Sequence, residues 1–217
     1  MCGVLDERLI TEVKVAGFRP TQQRRSRALV VRVMNEGLAL LRDHDFESLS
    51  IETLCKRCDA TVGSFYARFE GKEAFIDALQ RLVVEDSRRK LAAAYASERL
   101  PRDSLEDLLG WIAKGGVAWT RRYEGLVRAS LRRASGDRRS WTPMRELGRI
   151  QVAHALPPIL RLLPARAGSE AEGRIRFAFQ MMYGALNNMV LIDPGPYSLR
   201  DAATPRLLAA AMRRLIE

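Results

Sequence analysis

The chain has 217 residues, of which 47% are hydrophobic, so it is long and apolar enough to bury the core of one large domain or two small ones. Its composition excludes a disordered or collagen-like protein, no apolar run approaches the ~20 residues of a membrane helix, and three cysteines do not suggest a secreted disulfide framework, so we expect a soluble cytosolic protein. The formal net charge of +10 is compatible with an anionic partner. The excess of basic over acidic residues is larger after residue 72, with 24 against 16, than over residues 19–72, with 10 against 7. Charge alone therefore does not locate a nucleic-acid site.

Good helix formers dominate the chain and strand-like alternation is scarce, which predicts an all-α fold. Residues 1–19 have no clear pattern and are interpreted as an N-terminal arm, either irregular or a frayed helix. Beyond the arm, apolar residues recur at helical spacing between turn signals. The predicted helices span residues 21–43, 51–58, 62–69, 72–97, 103–118, 120–134, 142–163, 169–192 and 204–217.

Polar residues at the starts of these segments predict helix caps. Ser50 and Thr61 are expected to be N-caps of the two short helices. Ser169 to Glu172 have the pattern of a capping box, and Thr204 followed by Pro205 predicts an N-cap and a first-turn proline for the last helix.

The stretch CDATVGSFYARF, residues 58–69, is almost uncharged and has small and aromatic residues where a core helix would carry leucine and alanine. Two short helices joined by a tight turn and packed on a longer preceding helix form a helix-turn-helix unit. The second short helix is then the recognition helix, with Phe65 and Phe69 on its packing side. Hydroxyl groups on the other side can bond phosphate oxygens or base edges, and Gly63 permits a close approach of the backbone.

These segments resemble the DNA-binding region of the TetR family of bacterial transcriptional repressors. The similarity rests on Ser50, on Leu54-Cys55, on the run from Cys58 to Phe69 and on Lys72-Glu73, and it extends from Ala28 to Phe75. The rest of the chain agrees with the family only as an all-helical region of suitable length.

The resemblance implies a helix-turn-helix DNA-binding domain over residues 20–72 and a helical ligand-binding and dimerisation domain over residues 73–217. It implies a cytoplasmic, nucleoid-associated homodimer that represses transcription from a palindromic DNA operator until a small apolar or amphipathic effector releases it. No catalytic residue, metal or cofactor is expected. The predicted DNA-binding residues are Arg24, Arg25, Ser50, Thr61, Val62, Gly63, Ser64, Tyr66, Arg68 and Lys72.

The chain departs from the family pattern at four positions. Asp45 and Asp59 stand where glycines are usual, and aspartate tolerates the same backbone conformation. Arg68 replaces a usual histidine and adds a fixed charge. Val62 replaces a residue that is often lysine, so no operator sequence can be carried over from relatives.

The pair Cys55 and Cys58 allows an alternative function, a cytosolic helical redox protein or enzyme. Both cysteines occupy positions where the family usually has packing alanines, so we favour packing. No second C-x-x-C exists, and His44 and His154 lack the spacing of metal ligands. His154 lies on an apolar helix face and is interpreted as a core or pocket-wall residue. Sequence-independent DNA binding is a third possibility.

The long C-terminal region offers candidates for an effector pocket, a basic surface and a dimer interface. The arginines between Arg121 and Arg139 are read either as a solvated face or as contacts for an anionic ligand head group or the DNA backbone. Aromatic and methionine side chains are expected to line a large apolar pocket. The pocket residues are Trp111, Trp119, Trp141, Phe177, Met181 and Tyr183.

A heptad-like apolar seam in the helix opened by Ser169 predicts a dimer interface, joined by the last helix in a four-helix bundle across a two-fold axis. The alternative is that this seam packs inside its own subunit. The predicted interface residues are Ile175, Phe179, Met182, Leu186, Met189, Leu208 and Met212.

Overall fold

The structure, a computed structural model, describes residues 5, 7–12, 14–19, 24–164 and 170–217. These residues form ten α-helices, one short 3-10 helix at Arg138–Trp141 and an isolated antiparallel bridge between Phe18 and Phe69, so the predicted all-α fold is confirmed. The helices are α1 Glu7–Glu12, α2 Arg24–Asp43, α3 Ile51–Arg57, α4 Val62–Tyr66, α5 Lys72–Ala96, α6 Leu105–Arg122, α7 Glu124–Gly136, α8 Thr142–Leu162, α9 Ala171–Leu191 and α10 Thr204–Ile216. No helix in the described parts combines the length and the apolar composition needed to cross a membrane.

Most predicted boundaries agree with the observed helices to within a few residues, and the differences have local causes. The predicted break near residue 119 is wrong, because no glycine or proline stops the helix there and α6 continues to Arg122, where the buried Tyr123 ends it. The recognition helix ends at Tyr66 rather than at Phe69, since the chain then turns to form its bridge with Phe18.

Two of the four predicted caps are confirmed. The side chains of Ser50 and Thr61 accept hydrogen bonds from the amides of Thr53 and Ser64 at 3.2 and 3.1 Å. Thr204 is not the N-cap of α10, because it lies inside the helix and its hydroxyl donates to the carbonyl of Ser198 at 2.6 Å. Ser169 lies outside the described residues, as does the predicted start of the first long helix at residues 21–23.

The described chain divides into two compact units. One comprises the described residues up to Arg89 together with Ala129–Arg145, and the other comprises Lys90–Arg128 together with the described residues from Glu146 onwards. The first unit contains the helix-turn-helix of α3 and α4, and we refer to its part formed by residues up to 75 as the headpiece.

Four phenylalanines form the core of the headpiece. The ring of Phe69 stacks on Phe18 with centroids 5.3 Å apart and lies 4.9 Å from Phe65 and 5.2 Å from Phe75. A Cβ atom added at Gly37 of α2 would stand only 2.4 Å from Cζ of Phe75, so this cluster needs a glycine on the facing helix. The cluster fixes the packing side of α4, as the spacing of Phe65 and Phe69 predicts.

The N-terminal arm is structured where it is described. Leu5, Leu9 and Ile10 are buried, and α1 packs on α2. Further along, the amide of Arg19 donates to the carbonyl of Arg68 at 2.8 Å, next to the bridge that joins Phe18 to the end of the recognition helix. The arm therefore belongs to the headpiece.

In the second unit, α6, α9 and α10 pack against one another. Met182 and Leu186 of α9 lie 3.7 Å from the position of a Cβ atom at Gly116 of α6, so a small residue there allows close packing. One face of α9 is almost entirely shielded from solvent. Its members are Ala171, Ile175, Ala178, Phe179, Met182, Leu186 and Val190.

Candidate functional site

The backbone around the recognition helix follows from the residues that precede it. Asp59 adopts a positive φ of 49°, as expected for an aspartate in place of the usual glycine, and this turns the chain out of α3. Asp45, by contrast, does not adopt a positive φ. Thr61 then takes an extended conformation and caps α4.

The outer side of α4 offers contact groups to a partner. Val62 is 38% exposed and Tyr66 is 50% exposed, while Phe65 between them is buried. The Thr61 hydroxyl oxygen accepts from the Ser64 amide and keeps its own hydrogen free for donation. The Ser64 hydroxyl donates to the Thr61 carbonyl at 2.7 Å and keeps acceptor capacity. These groups can bond both phosphate oxygens and base edges.

Gly63, in the same helix, has a normal helical φ and free space around it. A Cβ atom added there would meet only the Thr61 hydroxyl, at 3.9 Å. Neither backbone conformation nor internal packing therefore demands a glycine at this position. The missing side chain leaves the backbone accessible from outside.

Three predicted DNA-binding residues at the edge of the headpiece differ in their environments. The guanidinium of Arg68 is half-buried and donates to the Ser26 hydroxyl of α2 at 3.0 Å, so it holds the end of the recognition helix on α2. Arg25 is exposed near the start of α2, and Arg24 is its first residue.

Lys72 begins α5, and its ammonium group faces the loop before α3. It donates to the carbonyls of Glu47 at 2.9 Å and Leu49 at 3.5 Å, and it stands 4.8 Å from the centroid of the Phe46 ring. The nearby Ser50 hydroxyl is engaged in capping α3. Lys72 thus positions the loop before the helix-turn-helix, and one of its three hydrogens is left for another acceptor.

Much of the basic run from Arg121 to Arg139 is paired inside the chain. Arg132 forms an ion pair with Asp45. Arg133 bonds Asp77 at 2.8 Å and lies 5.4 Å from the centroid of the Phe46 ring. The second half of α7 therefore supports the loop before α3, which favours a structural role over the binding of an anionic ligand.

Cys55 and Cys58 are both buried, with exposed fractions of 2% and 3%. Burial raises the pKa of Cys55, and burial together with the nearby Glu36 carboxylate raises the pKa of Cys58 to about 11. A thiol that stays protonated is a poor nucleophile and a poor metal ligand. Among the described residues no group of His, Cys, Asp and Glu side chains could hold a metal ion. These facts favour packing over a redox function.

The six predicted pocket residues have different environments. Trp119 pairs with Tyr123, and Trp141 belongs to the 3-10 helix in the other compact unit. Phe177 and Met181 are 49% and 52% exposed on the outer side of α9, so they do not line an interior pocket. These two predictions fail because the apolar residues of α9 form two opposite stripes.

The remaining two predicted residues, Trp111 and Tyr183, lie near the buried Tyr95, which no sequence pattern indicates. The ring of Tyr95 makes an edge contact with Trp111, with centroids 5.2 Å apart, and stacks on His154 at 5.5 Å. Burial raises the pKa of Tyr183, and Tyr95 is close enough to raise it further. His154 thus packs on an aromatic ring and is partly buried.

We name the group Tyr95, Trp111, Gln151, His154 and Tyr183 the aromatic cluster. Within it the Tyr183 hydroxyl donates to Oε1 of Gln151 at 2.9 Å and lies 3.4 Å from the Gly148 carbonyl. The Tyr95 hydroxyl is buried and has no hydrogen-bond partner among the described residues. The only sequence signal for this position is a single aromatic residue inside the alanine-rich run LAAAYA.

A surface cleft of about 260 Å³ lies at the end of α9. Among its lining residues, the Glu124 carboxylate accepts hydrogen bonds from Arg128 at 2.8 Å and from Arg200 at 3.0 Å. The charges of these three residues are therefore compensated inside the chain.

The predicted dimer seam is largely enclosed in its own subunit. Ile175 and Phe179 are 0% exposed, and Met182, Leu186 and Met212 are at most 3% exposed. Met189 and Leu208 are only partly buried. The burial favours the alternative in which the seam packs inside one chain. The outer side of α9 is exposed to solvent. It is formed by Phe177, Met181, Gly184, Asn188 and Leu191.

The helix-turn-helix region matches a known family. Residues 33–79 match the model of the bacterial regulatory proteins of the tetR family. Over 61 residues the chain is 33% identical to the HTH-type transcriptional regulator UidR of Escherichia coli strain K12, a match that covers 28% of this chain and 30% of that regulator. The curated relative is therefore similar over less than a third of its length.

Solved structures are similar over nearly the whole chain. A tetR-family transcriptional regulator from Streptomyces coelicolor has a TM-score of 0.64 at 12% identity, over 86% of this chain and 80% of that one. Salmonella enterica GusR has a TM-score of 0.61 at 15% identity, over 90% and 99%. At these identities the likeness concerns the fold. The matched sequence region and the helix-turn-helix geometry agree in indicating a DNA-binding region of the tetR type, and the chain shares the fold of solved tetR-family regulators.

Proposed function

We propose that this regulator is a cytoplasmic repressor that binds a palindromic operator as a homodimer and leaves it when a small apolar or amphipathic effector binds. The observation that carries the proposal is the outer side of α4, where Val62, Gly63 and Tyr66 are exposed on a helix fixed by the phenylalanine core. A rigid helix with an open side carrying small and hydroxyl-bearing residues suits the major groove.

The exposed groups divide into two roles. Tyr66, and the free hydrogen of Lys72, are suited to phosphate oxygens, which give affinity and salt dependence but no sequence choice. Thr61 and Val62 stand at the start of the helix, where side chains reach base edges, with the Val62 methyl groups suited to the methyl group of thymine. The first pair should affect binding to all DNA, and the second should alter sequence preference.

The dimer in this proposal uses the outer side of α9. From Phe177 to Ile192 this helix contains no charged residue, although 29% of the chain is charged. Phe177 and Met181 are about half exposed, and a Cβ atom added at Gly184 would meet nothing within 4 Å. An uncharged, exposed apolar helix face with a glycine at its centre is suited to close packing against the same face of a second chain. Two recognition helices could then lie about 34 Å apart in successive major grooves.

Release by an effector requires two sites that influence each other. An effector that binds one dimer arrangement more tightly lowers DNA affinity by the factor by which DNA lowers effector affinity. The aromatic cluster in the second unit supports an effector site, because it combines flat apolar walls with an unmet hydrogen-bonding group. The redox alternative is disfavoured by the protonated thiols.

Replacement of Gly63 with alanine tests the docking of α4. We expect the variant to be as stable as the wild type or more stable by about 0.5–1 kcal/mol, because alanine favours a helix over glycine and the added methyl group has free space. Operator affinity should nevertheless fall by about tenfold or more, equivalent to about 1.4 kcal/mol, because the methyl group occupies the space of the DNA backbone. Thermal unfolding and an equilibrium DNA titration measure the two effects.

The matched control is Gly115→Ala in α6, where a Cβ atom would also meet nothing within 4 Å and the residue is exposed. This variant should gain helix stability and bind DNA like the wild type. Unchanged operator affinity in Gly63→Ala would show that α4 does not approach DNA with this side.

A further inference from the structure

The Tyr95 hydroxyl is the least explained polar group of the second unit. Tyr95 is only 8% exposed, and its hydroxyl has no hydrogen-bond partner among the described residues. Leaving a buried hydroxyl without a partner costs about 1–3 kcal/mol, and phenylalanine would avoid this cost with nearly the same shape. A tyrosine at this position therefore calls for a partner that the described residues do not supply.

The neighbouring Tyr183 shows how such a group is satisfied when its role is structural. It is partly buried, and its hydroxyl donates to Gln151 and faces the Gly148 carbonyl. The two tyrosines share one cluster, yet only the Tyr183 hydroxyl has a hydrogen-bond partner among the described residues. Of the two, it is therefore the Tyr95 hydroxyl whose hydrogen can be donated to a ligand.

The rings around Tyr95 describe the shape of a suitable partner. Trp111 meets it edge-on at 85°, and His154 lies nearly parallel to it at 16°. Flat rings that pack in offset or edge-on arrangements favour a flat, apolar guest. Trp111 and His154 are partly exposed, so the cluster is not sealed from solvent.

The charge around Tyr95 describes the polar group of the partner. Burial raises the pKa of Tyr95, and no arginine or lysine of the described chain acts to lower it. The hydroxyl thus keeps its hydrogen at physiological pH, and a phenol donates a hydrogen bond better than it accepts one. Without a cation nearby, a carboxylate would be buried unpaired at high cost, whereas a carbonyl or ether oxygen would not.

We infer that the Tyr95 hydroxyl is the polar anchor of the effector site and that the effector is a flat, mainly apolar molecule with an uncharged hydrogen-bond acceptor, of which an aromatic ketone is the simplest case. The inference rests on the proposed effector-controlled function. It assigns to Tyr95 a direct hydrogen bond to the effector, and to Trp111 and His154 the walls against which the flat body packs.

Three small probes of similar size separate the chemical possibilities. Acetophenone has a neutral acceptor, ethylbenzene has none, and benzoate is an anion. Their dissociation constants would be measured by ligand-detected NMR titration on the full-length wild type and on Tyr95→Phe. We expect the variant to bind acetophenone about five- to tenfold more weakly, as for the loss of one neutral hydrogen bond, while its affinity for ethylbenzene stays within about twofold. Benzoate should bind the wild type more weakly than acetophenone.

The stability of the same variant separates a ligand from an internal water molecule. If the hydroxyl waits for a ligand, Tyr95→Phe keeps or raises the melting temperature, whereas Tyr183→Phe lowers it by leaving Gln151 without its donor. A lower melting temperature for Tyr95→Phe with unchanged acetophenone affinity would assign the hydroxyl to a buried water and overturn the inference. Failure of the wild type to bind any of the three probes, or tighter binding of benzoate than of acetophenone, would also overturn it.

Operator binding by the same preparations keeps this inference distinct from the proposed function. A wild type that binds its operator but whose acetophenone affinity is unaffected by Tyr95→Phe leaves the regulator intact and removes only the anchor. A wild type that binds no specific DNA contradicts the regulator itself, whatever the probes do.

Discussion

Replacement of Phe69 with alanine is expected to lower the free energy of unfolding by about 3–5 kcal/mol, the usual cost of truncating a buried phenylalanine. The ring is 1% exposed and contacts Phe18, Phe65 and Phe75, so its loss opens a cavity at the centre of the headpiece. This is a large fraction of the about 5–15 kcal/mol that stabilises a typical protein. Operator binding should be lost with the packing of α4. Chemical denaturation at a fixed protein concentration measures the change.

The control for this prediction is Tyr197→Ala, which removes an aromatic ring that is 46% exposed and lies outside the headpiece. It should cost much less stability and leave DNA binding intact. Equal losses in the two variants would mean that the four phenylalanines do not form the core that holds the recognition helix.

The double change Phe177→Glu and Met181→Glu is expected to separate the dimer into folded monomers. Both side chains are about half exposed on the outer side of α9, so carboxylates there are tolerated in one chain. In the proposed dimer they would be buried against their symmetry mates, and such burial costs several kcal/mol. Dimer affinity should therefore fall at least about 100-fold, equivalent to about 2.8 kcal/mol, and operator affinity should fall with it. Analytical ultracentrifugation and circular dichroism report mass and fold.

A matched pair of exposed apolar residues away from α9 controls for the added charge. Leu160→Glu with Tyr197→Glu should leave the protein dimeric, because these residues lie on α8 and in the loop before α10. Phe179→Glu, in contrast, would insert a carboxylate into the core of one chain and should unfold it rather than dissociate it. If the α9 double variant remains a dimer, the interface lies on another surface.

The headpiece could be predicted in detail because its signals are local. Ser50 and Thr61 cap helices within three residues of themselves, and Phe65 and Phe69 share one side of a helix by spacing alone. Asp59 signals its left-handed turn in the same way. Such features depend on neighbours in sequence, so the sequence is sufficient to place them.

The two sides of α9 could not be distinguished for a physical reason. Between Phe177 and Ile192 the helix has no charge on any side, so it has two apolar stripes and no polar face to orient it. The heptad-like stripe with Phe179 and Met182 is the one that packs inside the chain, and the stripe with Phe177 and Met181 is the open one. Only the positions of α6 and α10 decide between them.

Other features depend on partners far apart in sequence. Arg68 bonds Ser26 across 42 residues, and Phe18 pairs with Phe69 across a bridge. The Tyr95 hydroxyl has no partner among the described residues, and this is visible only when its whole neighbourhood is assembled. No periodicity or motif records such long-range relations, which explains why the packing of the arm on the headpiece and the place of Tyr95 in the aromatic cluster are absent from the sequence-based predictions.

The central claim, that the protein is a sequence-specific DNA-binding regulator acting as a dimer, is tested most directly by a gel shift with the DNA upstream of its own gene. The account predicts one retarded complex with two chains per site, which survives an excess of unrelated competitor DNA and disappears with an excess of unlabelled upstream DNA. A complex that unrelated DNA removes equally well, or the absence of any complex, would contradict the account.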